Sequence, residues 1–163
     1  MSRPAPEPMQ VVKQRRDAAL TTLAGRVPYI RFLNITFDRR GDELTGVLNF
    51  DGKLIGNPLL PALHGGVTAA FLEVTSIITL SWSLLWEDVE SGAISPEALP
   101  RLPKTIDFSV DYLRTGLPRD AYARSTVTRS GRRYASVRAE AWQDNHARPI
   151  ASSNAHFLMP REG

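Results

Sequence analysis

Hydrophobic residues are most continuous between Val67 and Trp86, where Glu73 is the only side chain that titrates near neutral pH. A stretch that is apolar nearly all round is typical of a helix buried in a protein core. The pattern therefore predicts a long helix that begins near His64 or Gly65 and runs for about 30 Å to Trp86.

This stretch is long enough to cross a bilayer, but hydroxyl side chains are scattered along it. No Lys or Arg lies between Lys53 and Arg101, so neither flank has the basic residues that anchor a membrane segment. We therefore expect a buried central helix and no association with a membrane.

Polar and apolar residues alternate in the last third of the chain, as they do in half-buried strands. Turns that contain Gly or Asn separate four such segments, at residues 104–114, 120–129, 132–143 and 149–159. Their apolar faces are rich in Ala and Ser, and small side chains let a curved sheet approach a helix closely. We predict that the four strands form an antiparallel meander around the helix.

The amino-terminal part predicts further helices. Residues 10–24 are compatible with a first helix ended by Gly25, and residues 28–33 with a short turn or helix. No internal repeat is seen. We expect a tail and helix at 1–27 and a single domain at 28–163, which suits a chain of 163 residues.

A hairpin is expected next, with strands at 34–38 and 44–50 and a turn in which Gly41 can take a positive φ. Glycines and prolines punctuate residues 51–63, which predicts a loop leading to the long helix. The acidic segment 87–100 follows that helix and is expected to form a short helix or flap.

Composition limits the chemistry. The chain has no Cys, which excludes disulfides, thiolate zinc sites and a cysteine nucleophile. No apolar run of signal-peptide length occurs near the amino terminus, so we expect a cytoplasmic protein. No motif indicates a bound metal or another cofactor.

Basic residues concentrate towards the carboxyl end. Residues 101–163 hold 11 Lys or Arg against 6 Asp or Glu, whereas residues 1–100 hold 9 against 11. Few aromatic residues interleave with these arginines, unlike a stacking platform for nucleic acid. The pattern favours a phosphorylated small ligand over RNA or DNA, and the alternative is a solvated basic face that keeps the protein soluble.

Glu73 is the first candidate for chemistry, because an isolated carboxylate in an apolar helix is costly to desolvate and needs a partner or a catalytic role. The backbone amides of Gly65 and Gly66 are the second candidate. Amides at a helix amino terminus lack intrahelical acceptors and carry a partial positive charge, so they suit an anion or a developing oxyanion.

The string from Asn57 to Glu73, with His-Gly-Gly at the helix entrance and an acid nine residues after the histidine, resembles the hot-dog thioesterases, in particular PaaI-type acyl-CoA thioesterases. The later Tyr112-Leu113-Arg114 segment and the turn at residues 130–133 belong to the same resemblance. It implies an α+β hot-dog fold, in which a curved antiparallel sheet wraps a long central helix, here with an extra amino-terminal helix. It also implies an acyl-CoA substrate and no bound cofactor.

Thioester hydrolysis needs oxyanion donors and a carboxylate that attacks the carbonyl or activates water. Gly65 is the expected oxyanion donor and Glu73 the expected base or nucleophile. Eight residues of helix separate them by about 12 Å, so one chain cannot place both on one carbonyl. Two antiparallel helices from different subunits can, which predicts an obligate homodimer or a dimer of dimers with shared sites. The resemblance implies the same shared site.

The other expected site residues each have a structural alternative. His64 either orients the thioester carbonyl or caps the helix, and Gly66 either lets the acyl group approach or only forms a tight turn. Asn57 and Ser76 are weaker candidates for substrate contact. Two arginines beside Gly131 are candidates for the phosphates of coenzyme A because arginine binds phosphate in a bidentate manner, namely Arg132 and Arg133.

We expect a cytoplasmic acyl-CoA thioesterase that hydrolyses a small aromatic or a short- to medium-chain acyl-CoA. Phe71, Trp82 and Trp86 are candidates for an aromatic or medium-chain pocket, although aromatic residues at helical spacing are more often core. One alternative is a hot-dog dehydratase or hydratase acting on (R)-hydroxyacyl thioesters. Another is an acyl-CoA-binding protein without catalysis.

Overall fold

The computed structural model describes residues 7–161. These residues form three α-helices and eight strands, together with short 3₁₀ turns at Gly52–Leu54 and Pro96–Ala98. In chain order they are α1 (Met9–Gly25), α2 (Pro28–Phe32), β1 (Ile35–Arg40), β2 (Glu43–Leu48), β3 (Ile55–Asn57), β4 (Ala62–Leu63), α3 (Gly65–Ser91), β5 (Lys104–Tyr112), β6 (Ala121–Ser130), β7 (Tyr134–Trp142) and β8 (Ala151–Leu158). The predicted α+β class, with a long central helix, a wrapping antiparallel sheet and an extra amino-terminal helix, is confirmed.

The central helix α3 is longer than the sequence pattern predicts. It has 27 residues and is about 40 Å long, because Glu87–Ser91 continue the helix until Gly92 ends it with a φ of 78°. The expectation of a separate helix or flap over 87–100 was therefore wrong for its first five residues. Although α3 has the length and hydropathy of a membrane span, 56% of its most apolar 18-residue window is buried inside the fold.

The six-stranded sheet has the order β1-β2-β6-β7-β8-β5, and all its pairs are antiparallel. The meander was correctly predicted for β6, β7 and β8 but not for β5, which pairs with β8. Because β2 occupies the free side of β6, the chain carries β5 to the opposite edge of the sheet. Both β1 and β5 consequently have one unpaired edge.

The concave face of the sheet packs on α3 through small side chains, as predicted. Ala123, Ala139 and Ala155 are each at most 1% exposed, and they lie in the middle of β6, β7 and β8. Small residues here allow the long helix to lie close to the sheet. The fully buried Phe71, Leu72 and Ile78 supply the helix side of this core.

The hairpin β1–β2 turns at Gly41, whose φ is 65°, as predicted. Helix α1 packs on α3, and its buried residues Ala19, Leu20 and Leu23 join the main core. The Arg15 guanidinium also donates a hydrogen bond of 2.8 Å to the Glu90 carbonyl. The boundary predicted at residue 27, between the amino-terminal tail and helix and the single domain, stays a prediction.

Candidate active site

The start of α3 is held by the two short strands β3 and β4, which the sequence pattern predicts only as a loop. The His64 amide donates to the Leu54 carbonyl at 2.8 Å, and the Leu63 amide donates to the Gly116 carbonyl at 2.9 Å. At Gly56, a Cβ would lie 2.8 Å from the His64 Cα, so glycine is needed for the two strands to approach. The helix entrance is therefore fixed from both sides.

His64 caps the helix with its side chain. Its Nδ1 accepts a hydrogen bond of 2.8 Å from the Gly66 amide, and its carbonyl accepts from the amides of Val67 and Thr68. Within residues 7–161, the Gly65 amide is the one N–H at this helix start without an acceptor. The geometry thus favours Gly65 over Gly66 as a donor to a ligand, and it assigns the capping alternative to His64.

Tyr112, at the end of β5, packs directly on the helix entrance. Its hydroxyl donates a hydrogen bond of 2.7 Å to the Gly65 carbonyl. A Cβ at Gly65 would lie 3.2 Å from the Tyr112 Oη and 3.3 Å from its Cζ, so the glycine makes room for the ring. The ring and the hydrogen bond fix the orientation of the first peptide of α3.

Glu73 lies partly exposed on α3. The Thr105 hydroxyl, near the start of β5, donates a hydrogen bond of 2.7 Å to the Glu73 Oε1. No other hydrogen bond to this carboxylate is found among residues 7–161, so Oε2 is free to accept from a ligand or water. Thr105 is thus the hydrogen-bonding partner of the isolated carboxylate, and it carries no opposing charge.

Gly65 and Glu73 are not brought together within one chain. Both lie in the same continuous helix, eight residues and about 12 Å apart along its axis. Each contacts a different end of β5, through Tyr112 and Thr105 respectively. The expected oxyanion donor and the expected acid are therefore both present, but they are separate within one chain.

The structure does not bring the two weaker candidates to either the donor or the acid. Ser76 is fully buried, and its hydroxyl donates to the Leu72 carbonyl at 2.8 Å and lies 3.5 Å from the Ser125 hydroxyl, towards the sheet. The Asn57 carboxamide oxygen accepts from the amides of Leu59 and Leu60, so it shapes the loop before α3. Both have local structural roles.

The aromatic residues of α3 are core, not pocket. Phe71 and Trp82 are at most 1% exposed. The Arg16 guanidinium lies 5.1 Å from the centre of the Trp86 ring, beneath α1. All three side chains are packed against other parts of the protein. The structure therefore does not support the aromatic acyl pocket that the sequence suggested from these residues.

An open cleft of 460 Å³ does lie beside the helix entrance. Its walls combine apolar side chains with polar groups, including Leu63, Gly65, Thr68, Tyr112, Leu113 and Arg114. Its volume falls in the range of small-molecule sites, about 300–1,000 Å³. The free amide of Gly65 is thus next to a space large enough for a ligand.

The basic turn, which we define as Arg132 and Arg133 between β6 and β7, is exposed. Within residues 7–161 neither guanidinium has an acidic partner, whereas three nearby arginines in the sequence form ion pairs, namely Arg119 before β6, Arg124 on β6 and Arg138 on β7. The Arg133 carbonyl accepts from the Met159 amide at 2.8 Å, just beyond the end of β8. The register pairs Phe157 of that end with Thr105, so the basic turn and Glu73 share one end of the sheet.

Two residues of this arrangement were not assigned a role from the sequence. Tyr112 belongs to the family-like segment, but its contact with the helix entrance is a tertiary feature. Thr105 lies 32 residues from Glu73, and nothing in the local pattern distinguishes it from other strand threonines. Pairing across such distances is visible only in the fold.

Comparison with known proteins agrees with this geometry. Residues 57–158 match the family model described as "Acyl-CoA thioesterase N-terminal domain". The medium/long-chain acyl-CoA thioesterase YigI of Escherichia coli strain K12 is 30% identical over 136 residues, which are 82% of this chain and 86% of that protein.

Solved structures show the same fold. A thioesterase-superfamily protein of Shewanella oneidensis superposes with a TM-score of 0.73 at 27% identity, over 92% of this chain and 98% of that one. A Bacillus halodurans protein solved with CoA has a TM-score of 0.64 at 18% identity, over 98% of this chain and 97% of the other. Taken with the helix entrance and the acid on α3, these matches show that the chain belongs to the acyl-CoA thioesterases of the hot-dog superfamily and is a thioester hydrolase.

Proposed function

We propose that this thioesterase hydrolyses medium-chain acyl-CoA at sites shared by two copies of the chain, with Glu73 of one copy opposite Gly65 of the other. The observation that carries the proposal is the separation of these residues by about 12 Å along one rigid helix. A carboxylate and an oxyanion donor must both reach one thioester carbonyl, so the second group has to come from another copy.

In the proposed reaction, the thioester carbonyl oxygen accepts a hydrogen bond from the Gly65 amide. Glu73 either attacks the carbonyl carbon or removes a proton from a water that does so. Negative charge then develops on the carbonyl oxygen, where the amide and the helix terminus stabilise it. Collapse breaks the C–S bond and releases the thiolate of CoA. When Glu73 acts as base, the thiolate takes up the proton that Glu73 removed from the water. When Glu73 attacks, water then hydrolyses the anhydride that joins the acyl group to Glu73, which gives the free acid, restores the carboxylate and supplies the proton for the thiolate. No metal or bound cofactor takes part in these steps.

Two unpaired surfaces support a dimer. Strand β5 is at the edge of the sheet, and Ile106 on it is 50% exposed. On α3, Glu73 stays partly exposed beside Thr105, and Leu84, which lies three turns farther along the same side of the helix, is 48% exposed. A second copy that pairs its own β5 with this edge would bring two α3 helices side by side and cover both surfaces. The proposed state is this dimer or a dimer of two such dimers.

The acyl preference rests on the cleft and on the relatives. The 460 Å³ cleft is lined by Leu63 and Leu113 near Gly65, and it has no aromatic wall besides Tyr112. The similar proteins of known activity are named medium/long-chain acyl-CoA thioesterases. We therefore place medium-chain acyl groups ahead of small aromatic ones, and we keep membership of the PaaI-type group as a prediction.

We propose that the basic turn binds the phosphates of CoA. Its guanidinium groups are exposed and have no acidic partner within the described residues, although that of Arg133 lies 5.9 Å from the centre of the Tyr134 ring, and arginine suits phosphate. The similar Bacillus halodurans protein was solved with CoA.

Acyl-CoA is a soluble metabolite, and we propose that the enzyme meets it in the cytoplasm.

The test is release of free thiol from a panel of straight-chain and aromatic acyl-CoAs by wild type and by Glu73→Gln. We expect medium chains to be preferred and the substitution to lower kcat by about 10²- to 10⁴-fold, as for loss of a general base. Glu97→Gln, an exposed change in the Pro96–Ala98 turn, is the matched control and should be fully active. Equal rates for wild type and Glu73→Gln would refute the role of the carboxylate, and a preference for aromatic acyl groups would refute the substrate class.

A further inference from the structure

We infer that Thr105 is a positioning residue for Glu73, set in place by a bulge at the start of β5. The inference rests on the proposed function. Its basis is the hydrogen bond of 2.7 Å from the Thr105 hydroxyl to the Glu73 Oε1, which holds one oxygen of the carboxylate. The other oxygen, Oε2, is left to face water or the thioester.

The bulge decides which β5 side chains face the helix. Thr105 lies opposite Phe157, and Asp107 lies opposite His156, so Ile106 is an extra residue without a partner on β8. Phe157 is fully buried on the concave face, and residues directly opposite share a face. Thr105 therefore points towards α3.

Farther along β5 the inward residues are Phe108, Val110 and Tyr112, opposite Ala155, Ser153 and Ala151. These three follow a period of two, and continuing that period back would place Ile106 towards α3 and Thr105 on the outside. The register shift reverses this, and Ile106 is half exposed instead. One extra residue thus selects a hydroxyl as the neighbour of Glu73.

A hydroxyl suits this position better than a charged group. A Lys in its place would form an ion pair and hold the carboxylate away from the substrate, with its charge partly neutralised. A threonine hydroxyl orients one oxygen and leaves the negative charge for proton abstraction or attack. The adjacent Lys104 is exposed, so the bulge keeps its ammonium out of this position.

Strand β5 contacts both the acid Glu73 and the oxyanion donor Gly65. Thr105 orients the acid at one end, and Tyr112 fixes the peptide of Gly65 at the other. Because both side chains belong to one strand, the backbone of β5 fixes the spacing between their two contacts on α3. A strand with this task needs its register defined, which the bulge provides.

The test compares Thr105→Val, which removes the hydroxyl at nearly constant volume, with Thr105→Ser, which keeps it. We expect Thr105→Val to lower kcat about 10- to 100-fold with KM within about twofold, because the carboxylate loses its alignment. Thr105→Ser should stay within about threefold of wild type. Thr126→Val, on the exposed face of β6, is the matched control.

The bulge itself is tested by the double variant Thr105→Val with Ile106→Thr, which moves the hydroxyl by one residue. We expect no rescue, because residue 106 faces away from α3. Rescue by this variant would overturn the geometry. A wild-type kcat for Thr105→Val, or equal losses in the Val and Ser variants, would overturn the role of the hydroxyl. An inactive Glu73→Gln beside a normal Thr105→Val would reject this inference alone, whereas a fully active Glu73→Gln would reject the proposed function.

Discussion

The Nδ1 of His64 lies 2.8 Å from the Gly66 amide and accepts its hydrogen bond. This contact requires the imidazole to carry its proton on Nε2, because an imidazolium has no acceptor. It also decides between two neighbouring glycines, since the Gly66 amide is occupied and the Gly65 amide is not. The histidine of the His-Gly-Gly string is thus a helix cap in this structure.

Replacing the cap should cost stability. We expect His64→Ala to lower the free energy of unfolding by about 1 kcal/mol, and His64→Asn to lower it by much less, because Asn is among the best N-cap residues. Urea unfolding with an unchanged m-value measures both. If His64→Asn keeps stability yet loses turnover, the imidazole also acts on the thioester. If both variants are as stable as wild type, the cap is not important.

The oxyanion donor can be removed with little change to the helix. Gly65 is the first residue of α3, where proline is tolerated, and the extended ψ of 130° at His64 is compatible with a following proline. Gly65→Pro deletes the N–H and should lower kcat about 10²- to 10³-fold. Gly65→Ala keeps the N–H but adds the same Cβ, 3.2 Å from the Tyr112 Oη, so it is the control.

We expect Gly65→Ala to lose much less activity than Gly65→Pro, in thiol-release assays on samples with matched unfolding midpoints. Equal losses would mean that crowding against Tyr112, and not the missing donor, causes the defect. Full activity of Gly65→Pro would exclude the Gly65 amide from catalysis.

The sequence was sufficient for features that depend on local pattern. The small faces of the strands, the glycine at residue 41 and the apolar α3 follow from period and residue type, and all are confirmed. The candidate acid and the helix entrance also stand out in the sequence, because a carboxylate in an apolar helix and two glycines at its start are unusual, and their roles in catalysis stay predictions.

Features that depend on distant pairing were not predictable. The position of β5 beside β8 follows from competition between strands for the edges of the sheet. Ser76 was placed near Glu73 by helical spacing, but three residues rotate it far enough to face Ser125 on β6. The hydroxyl of Thr105 meets Glu73 only because a bulge shifts the register, and a bulge leaves no clear trace in this sequence.

The basic turn should govern the affinity for CoA. We expect the double variant Arg132→Ala with Arg133→Ala to raise KM for acyl-CoA by about three- to tenfold with kcat little changed, because exposed charge pairs contribute modestly. The salt dependence of KM should flatten, since fewer ionic contacts remain to be screened. Arg40→Ala, at the end of β1, is the control for lost positive charge. An unchanged KM with an unchanged salt dependence would assign the phosphates to another surface.

The shared site can be tested by mixing two inactive variants. In a dimer of a Glu73→Gln chain with a Gly65→Pro chain, one site carries both defects and the other pairs an intact Glu73 with an intact Gly65. If subunits exchange freely, half of the dimers are mixed, so a 1:1 co-expressed sample should recover about a quarter of wild-type activity. Each variant co-expressed with itself is the control. If acid and donor served the same site from one chain, every site would carry one defect and no activity would return; a monomer in analytical ultracentrifugation would reject the shared site as well.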